Sequence, residues 1–295
     1  MMAASQVRDD TAPVAASPRH LPLQPPADLD LPPDVWTRLR EEYDGVFDEA
    51  ALRRHVRDHL GDDVAEDQLA LVRRRTPHAR RILDVASGWG SFVVAARVAG
   101  LDAVGVDLAR PELEHARRRS APVLRADAGA LPLPPATFDV VTMWNVLEHV
   151  DDRVAVLAEA ARVLVPDGSL YVEAPNYRSF RREAHYHVPW LPGLHGRLAE
   201  RWLVALRRDP TFFRTSVRPC SWSQVAAELR GAGFDVGPMR DEKLRDPASI
   251  RRPGVRRAVE IAIRFGFGRV IAALLAADAR NPLQASIRLH AVKRG

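Results

Sequence analysis

The spacing of apolar positions changes character twice along this chain. From residue 34 to about 60, Trp36, Leu39, Tyr43, Phe47, Leu52 and Val56 recur at three- to five-residue steps, the period of one helix face. Residues 63–75 continue as a second helix, and Asp34 is placed to cap the first. From residue 81 the pattern becomes short unbroken apolar runs, at 81–86, 103–107, 123–126, 138–144 and 169–174. Amphipathic stretches at 92–99, 111–118 and 151–164 separate them. Pro111 suits a first helical turn because its missing N–H costs nothing there. Runs that are apolar on both faces, alternating with helices, predict a parallel sheet buried on both sides. The alternation pauses over 175–220, then resumes with a helix at 222–231 behind a Ser221 cap and a strand at 233–236. A second inserted helical stretch, 240–283, carries an amphipathic segment over 255–277 broken at Gly266 and Gly268, and the last strand is 286–292.

The resulting picture is an α/β fold, a doubly wound seven-stranded sheet with a helical cover over 34–77 and a main domain over 78–295. Two helical insertions, 175–220 and 240–283, interrupt that domain. Residues 1–33 hold many of the prolines and little apolar period, which predicts a disordered leader with no targeting segment. The apolar run 270–277 is far short of the roughly twenty residues that cross a bilayer. A single cysteine, Cys220, excludes a disulfide framework and a cysteine zinc cluster and fits a reducing, cytoplasmic setting.

Charge divides unevenly. Residues 1–177 carry 20 basic against 28 acidic side chains, and residues 178–295 carry 23 against 10. A basic half suits an anionic small-molecule acceptor, an anionic membrane or nucleic acid, and equally a solvated basic surface.

The candidate chemistry sits at strand ends. Asp84-x-x-Ser87-Gly88-x-Gly90 closes the first strand and opens a helix, where glycines allow close backbone approach and the helix N-terminus offers unpaired N–H groups. Asp107 ends the second strand, placed to accept both hydrogens of a ribose diol. Asp127 ends the third and can accept an adenine amino proton, with Ala128 beside it. The third glycine of a dinucleotide fingerprint is absent, since position 93 is Val.

Six blocks in order resemble the class I S-adenosylmethionine-dependent methyltransferases. They are Ile82-Leu83-Asp84-Val85-Ala86-Ser87-Gly88-Trp89-Gly90, Val104-Gly105-Val106-Asp107-Leu108, Arg125-Ala126-Asp127-Ala128, Phe138-Asp139-Val140-Val141, Asn145-Val146-Leu147-Glu148-His149-Val150 and Ala161–Gly168. The resemblance implies a Rossmann-like sheet with strand seven antiparallel and S-adenosylmethionine as cofactor. It implies that Asp84, Gly88 and Gly90 line the methionine part, with Ser87 also at the cofactor, and that Asp107 holds the ribose. Leu108 would lie against the adenine, Asp127 and Ala128 at its edge, and Asn145 near the amino group or sulfonium.

For the proton that leaves with methyl transfer, His149, just past strand four, is the first candidate base. His185, in the His185-Tyr186-His187 cluster of the first insertion, is the second. The spacing of Glu148, His149 and the insertion histidines fits no dedicated metal motif, so no metal is expected. The expected reaction is methyl transfer to a hydroxyl, less readily to an amine or carbon, of a small molecule such as a natural product, sugar or quinone precursor. An RNA substrate is disfavoured because the arginines of the basic half are not interleaved with stacking aromatics. The segment 255–277 suits peripheral membrane contact with a lipid-linked substrate, a lid or a homodimer face. A non-enzymatic binding protein is the remaining class.

Overall fold

The computed structural model describes residues 25, 31–43, 49–60, 62–179, 181–183, 185–186, 188–239, 247, 253–270 and 286–295. Most of the expected leader, His187, and the parts of 240–283 flanking 253–270 lie outside them.

Five parallel strands carry the sheet: β1 (Arg81–Val85), β2 (Asp102–Asp107), β3 (Val123–Arg125), β4 (Phe138–Trp144) and β5 (Leu164–Pro175). The final strand β9 (Ser286–Lys293) inserts antiparallel between β5 and β8 (Phe234–Pro238), giving the order β3-β2-β1-β4-β5-β9-β8. This is the seven-stranded, mostly parallel sheet expected, with its order reversing between β1 and β4. Helices α4 (Ser91–Val98), α5 (Arg110–Arg118), α6 (Arg153–Val163) and α9 (Trp222–Gly231) cover it. Ile82, Leu83, Val85, Val140, Val141 and Met143 are all fully buried, so the central strands bury both faces as their continuous apolar runs require. Ser221 caps α9, accepting from the Gln224 N–H. β5 begins earlier than its apolar run: Leu164 already pairs with Phe138, and the turn at 166–168, with Asp167 at φ +60, forms a bulge inside the strand.

The N-terminal cover is three helices, α1 (Pro33–Glu42), α2 (Glu49–Leu60) and α3 (Asp62–Arg75). Asp34 does not cap α1. Pro32 occupies the cap position, and the Asp34 carboxylate, two residues further along, pairs with Arg118 of α5 at 3.1 Å. Arg38 reaches Glu114 of the same helix at 2.8 Å, so α1 is tied along α5. Its apolar face meets Trp89, the residue between the two turn glycines. Trp89 packs with Leu31, Val35, Trp36, Leu39, Leu52 and Val56. The cover is thereby anchored on the glycine turn itself.

The first insertion is less purely helical than expected. It holds a two-stranded antiparallel sheet, β6 (Arg181–Arg182) with β7 (Pro189–Trp190), besides α7 (Gly196–Ala205) and α8 (Thr211–Ser216). Tyr177, Tyr186, Trp190, Leu203 and Phe213 give it a small core of its own. In the second insertion, α10 (Pro253–Arg264) ends at Gly266, whose φ of +80 breaks the helix where the sequence predicts. Phe265 and Phe267 are exposed beyond it. Among the described residues no helix is long and apolar enough to cross a membrane.

Candidate functional site

Parallel strands deliver their C-terminal ends to one edge of the sheet, and the crevice at the order reversal is where such sheets bind ligands. The turn after β1 is built for close approach. Gly88 has φ +48, and a Cβ there would meet nothing within 4 Å, so its backbone faces open space. Gly90 also has a positive φ, but a Cβ there would stand 2.8 Å from the Ala116 Cβ. Its glycine is required by the packing of α5. Gly105 is required likewise, since a Cβ would stand 2.5 Å from the Ser87 Oγ. That buried hydroxyl finds no hydrogen-bond partner among the described residues.

Asp107 ties the turn to β2. Its Oδ2 accepts from the Gly88 N–H at 2.7 Å and its Oδ1 from the Ala109 N–H at 2.8 Å. A carboxylate has about four lone-pair sites, so each oxygen retains capacity for a ligand hydroxyl. Leu108, next along, is 56% exposed, an apolar surface left open beside the carboxylate. Across the next strand, the Ala126 N–H donates to the Asp107 carbonyl, which places Asp127 at the neighbouring tip. Asp127 is exposed; its Oδ1 accepts from the Gly129 N–H at 2.8 Å, and Ala128 is half-buried against the core. Asn145 ends β4 in the left-handed region, φ +56, exposed and held through its N–H to the Glu173 carbonyl.

Asp84 sits one layer deeper, opposite Gly105 and Thr142 in the register. Only 3% exposed, it accepts from the Thr142 Oγ1 at 2.7 Å. Burial pushes its carboxyl up to about 7 against that hydrogen bond, and the Asp107 charge adds to the rise. A carboxyl whose folded pKa lies above its unfolded value contributes stability that is complete below the unfolded value near 4 and is lost as pH rises through about 7. Thermal unfolding of the unliganded chain between pH 5 and 8 is therefore expected to show falling stability. An Asp84→Asn variant should flatten the trend; identical slopes in both proteins would contradict this reading of Asp84.

The two candidate bases, 36 residues apart in sequence, meet. The Nε2 atoms of His149 and His185 stand 3.2 Å apart, with ring centroids at 5.0 Å. Phe212 of α8 flanks both rings, and Tyr43 at the end of α1 contacts Phe212 in turn. Cover, insertion and β4 tip thus converge over one edge. His185 leans on Glu183, a fully buried carboxylate that the sequence pattern did not single out. Two concavities lie elsewhere: one of about 390 Å³ is on α7 around Arg197 and Arg201, and one of about 420 Å³ is at the opposite, N-terminal end of β1 around His78 and Leu101. Neither gathers the strand-tip carboxylates.

The family model described as a methyltransferase domain matches residues 83–172. Ubiquinone biosynthesis O-methyltransferase of Methylococcus capsulatus is 32% identical over 167 residues, 54% of this chain and 65% of that one. Demethylmenaquinone methyltransferase of Thermus thermophilus is 40% identical over 138 residues, 43% and 63% of the two chains. Its counterpart in Renibacterium salmoninarum is 32% identical over 183 residues, 58% of this chain and 73% of that one. The chain spans slightly under two thirds of the first two relatives' length. With this sheet order, this glycine turn and these relatives, the chain belongs to the class I S-adenosylmethionine-dependent methyltransferases, whose cofactor is S-adenosylmethionine.

Proposed function

We propose that the chain transfers a methyl group from S-adenosylmethionine to a hydroxyl of a small molecule, with a quinone precursor as the favoured class. The meeting of His149 and His185 at the β4 tip carries this reading, because a hydroxyl must lose a proton as it is methylated.

The donor set fits the cofactor. A ribose diol needs acceptors, and Asp107 retains lone pairs on both oxygens. An adenine needs an apolar wall and an acceptor at its amino edge, and Leu108 and Asp127 are both exposed there. The open backbone at Gly88, the buried Ser87 hydroxyl and the exposed Asn145 fall where the methionine end would lie, with Asp84 beneath, hydrogen-bonded to Thr142. Ala128 and Gly90 shape the walls by packing. When bound, the cofactor supplies an electrophilic methyl group. The chain's share is alignment, which converts a bimolecular encounter into a local one, and removal of one proton.

His149 is the base in this reading: it is exposed at the crevice edge, while His185 is nearly buried behind it. The names of the relatives support a quinone-type acceptor, and the basic second half of the chain suits an anionic one. Incubation with methyl-labelled S-adenosylmethionine and a panel of phenols, catechols, amines and carbon acids is expected to label phenolic or catecholic oxygen. Label appearing on nitrogen or carbon alone would overturn the hydroxyl assignment.

A further inference from the structure

Behind the two histidines the hydrogen bonds can be counted proton by proton. The Glu183 carboxylate, fully buried just past β6, is surrounded by donors. Its Oε1 accepts from the Tyr177 hydroxyl at 2.8 Å and faces the His185 Nδ1 at 3.0 Å. Its Oε2 accepts from the backbone N–H groups of His185 and Tyr186 at 2.6 and 2.7 Å. Burial alone would raise this carboxyl, but the His185 ring and the other donors outweigh it and hold it at about 2. An ionised carboxylate only accepts, so the His185 Nδ1 carries a hydrogen.

At the other end, the His149 Nδ1 lies 2.8 Å from the Ser216 carbonyl oxygen. A carbonyl also only accepts, so this Nδ1 carries a hydrogen too. Two neutral rings with both Nδ1 atoms protonated would point bare lone pairs at each other across the 3.2 Å between their Nε2 atoms. That spacing is hydrogen-bonding distance, and it requires one further proton between them. A proton shared there would give the pair one positive charge, which the adjoining Glu183 carboxylate is placed to balance.

We propose that Glu183, His185 and His149 form a single proton-holding relay, with Glu183 as the positioning residue. It fixes the Nδ1–H form of His185 and compensates the charge that the two Nε2 atoms take up together. Its use in catalysis rests on the hydroxyl-methylation reading above; its existence does not. In the neutral state the facing lone pairs repel, and the exposed His149 Nε2 can turn to an acceptor O–H. When an acceptor hydroxyl is methylated, its O–H bond would break with the electron pair staying on oxygen and the proton passing to Nε2, while the new O–methyl bond would form as the cofactor's methyl–sulfur bond breaks with its pair going to sulfur. The pair then closes over that proton and later releases it to water through His149. An acceptor that loses no proton on methylation, such as a thioether or tertiary amine, gains nothing from Glu183.

Among the described residues, the charged and titratable groups around the pair include Glu183 and Tyr177 on the far side of His185, Tyr186 beside His185, and Glu148 before His149. Arg218, two residues past Ser216, is bound to Asp151. Imidazole ¹⁵N NMR on the full chain without cofactor tests the relay. In the wild type both rings should show protonated Nδ1 atoms, with one proton taken up jointly at Nε2. In Glu183→Gln, which keeps the side chain's shape, the midpoint of that uptake should fall by about one pH unit or more. Nε2–H forms on both rings, or equal midpoints in the two proteins, would overturn it. Should the variant fail to fold, the wild-type ring pattern alone decides. S-adenosylmethionine titrations on the same samples keep the claims apart. A wild-type chain that binds none removes the methyltransferase reading, whereas matched imidazole titrations remove the relay.

Discussion

Replacing His149 with alanine is expected to lower kcat for a hydroxyl acceptor by about two to four orders of magnitude, the usual worth of a positioned general base. Cofactor affinity should stay within a few-fold, because His149 contacts Ser216, His185 and Phe212 while the glycine turn is held by Asp107. The exposed ring contributes little to the core, so folding should survive the truncation. Rate and affinity thereby separate. Single-turnover rates measured beside calorimetric binding would show the split. An unchanged rate across pH 6 to 9 would retire His149 as the base, and equal losses in both quantities would indicate a structural role.

Sequence pattern carried most of the sheet, and the reason is physical. Strands buried on both faces must be apolar throughout, so β1, β2, β4 and β5 announce themselves without any long-range information. The turn at Ser87-Gly88-Trp89-Gly90 was equally visible, but its two glycines serve different ends: Gly88 opens onto the crevice, while Gly90 admits Ala116. Only the coordinates separate those uses. Trp89, between those glycines, anchors the N-terminal cover, a role that depends on Trp36 and Val56 arriving from more than thirty residues away.

Asp34 departs from its expected capping role for a related reason. A carboxylate at a helix start suits capping, but Arg118 of another element lies within reach and takes it. Glu183 carries almost no mark of its role in the local sequence. Nothing local marks an acidic residue in an insertion as buried, and its four donors come from a short loop and from Tyr177. The one local signal is the spacing Glu183-x-His185, which places a carboxylate beside a candidate base. That His149 and His185 would touch was not legible, because their meeting requires the insertion to fold back over the β4 tip.

The second large effect concerns Asp107. Each of its carboxylate oxygens holds one backbone N–H and keeps room for a ribose hydroxyl. Hydrogen bonds to a charged group contribute about 1.5–3 kcal/mol each, so losing two should weaken cofactor binding by roughly a hundredfold or more. Truncation also strips the acceptor from the Gly88 N–H, loosening the turn that backs the ligand. Asp107→Asn, which keeps one acceptor oxygen, should fall between the two proteins. Calorimetric titration of S-adenosylmethionine into the wild type and Asp107→Ala therefore measures whether the strand tips and the glycine turn shape one ligand crevice. Saturable one-to-one binding by the wild type, lost at least about a hundredfold in the variant, is the predicted result. No binding by the wild type, or equal binding by both, would contradict it.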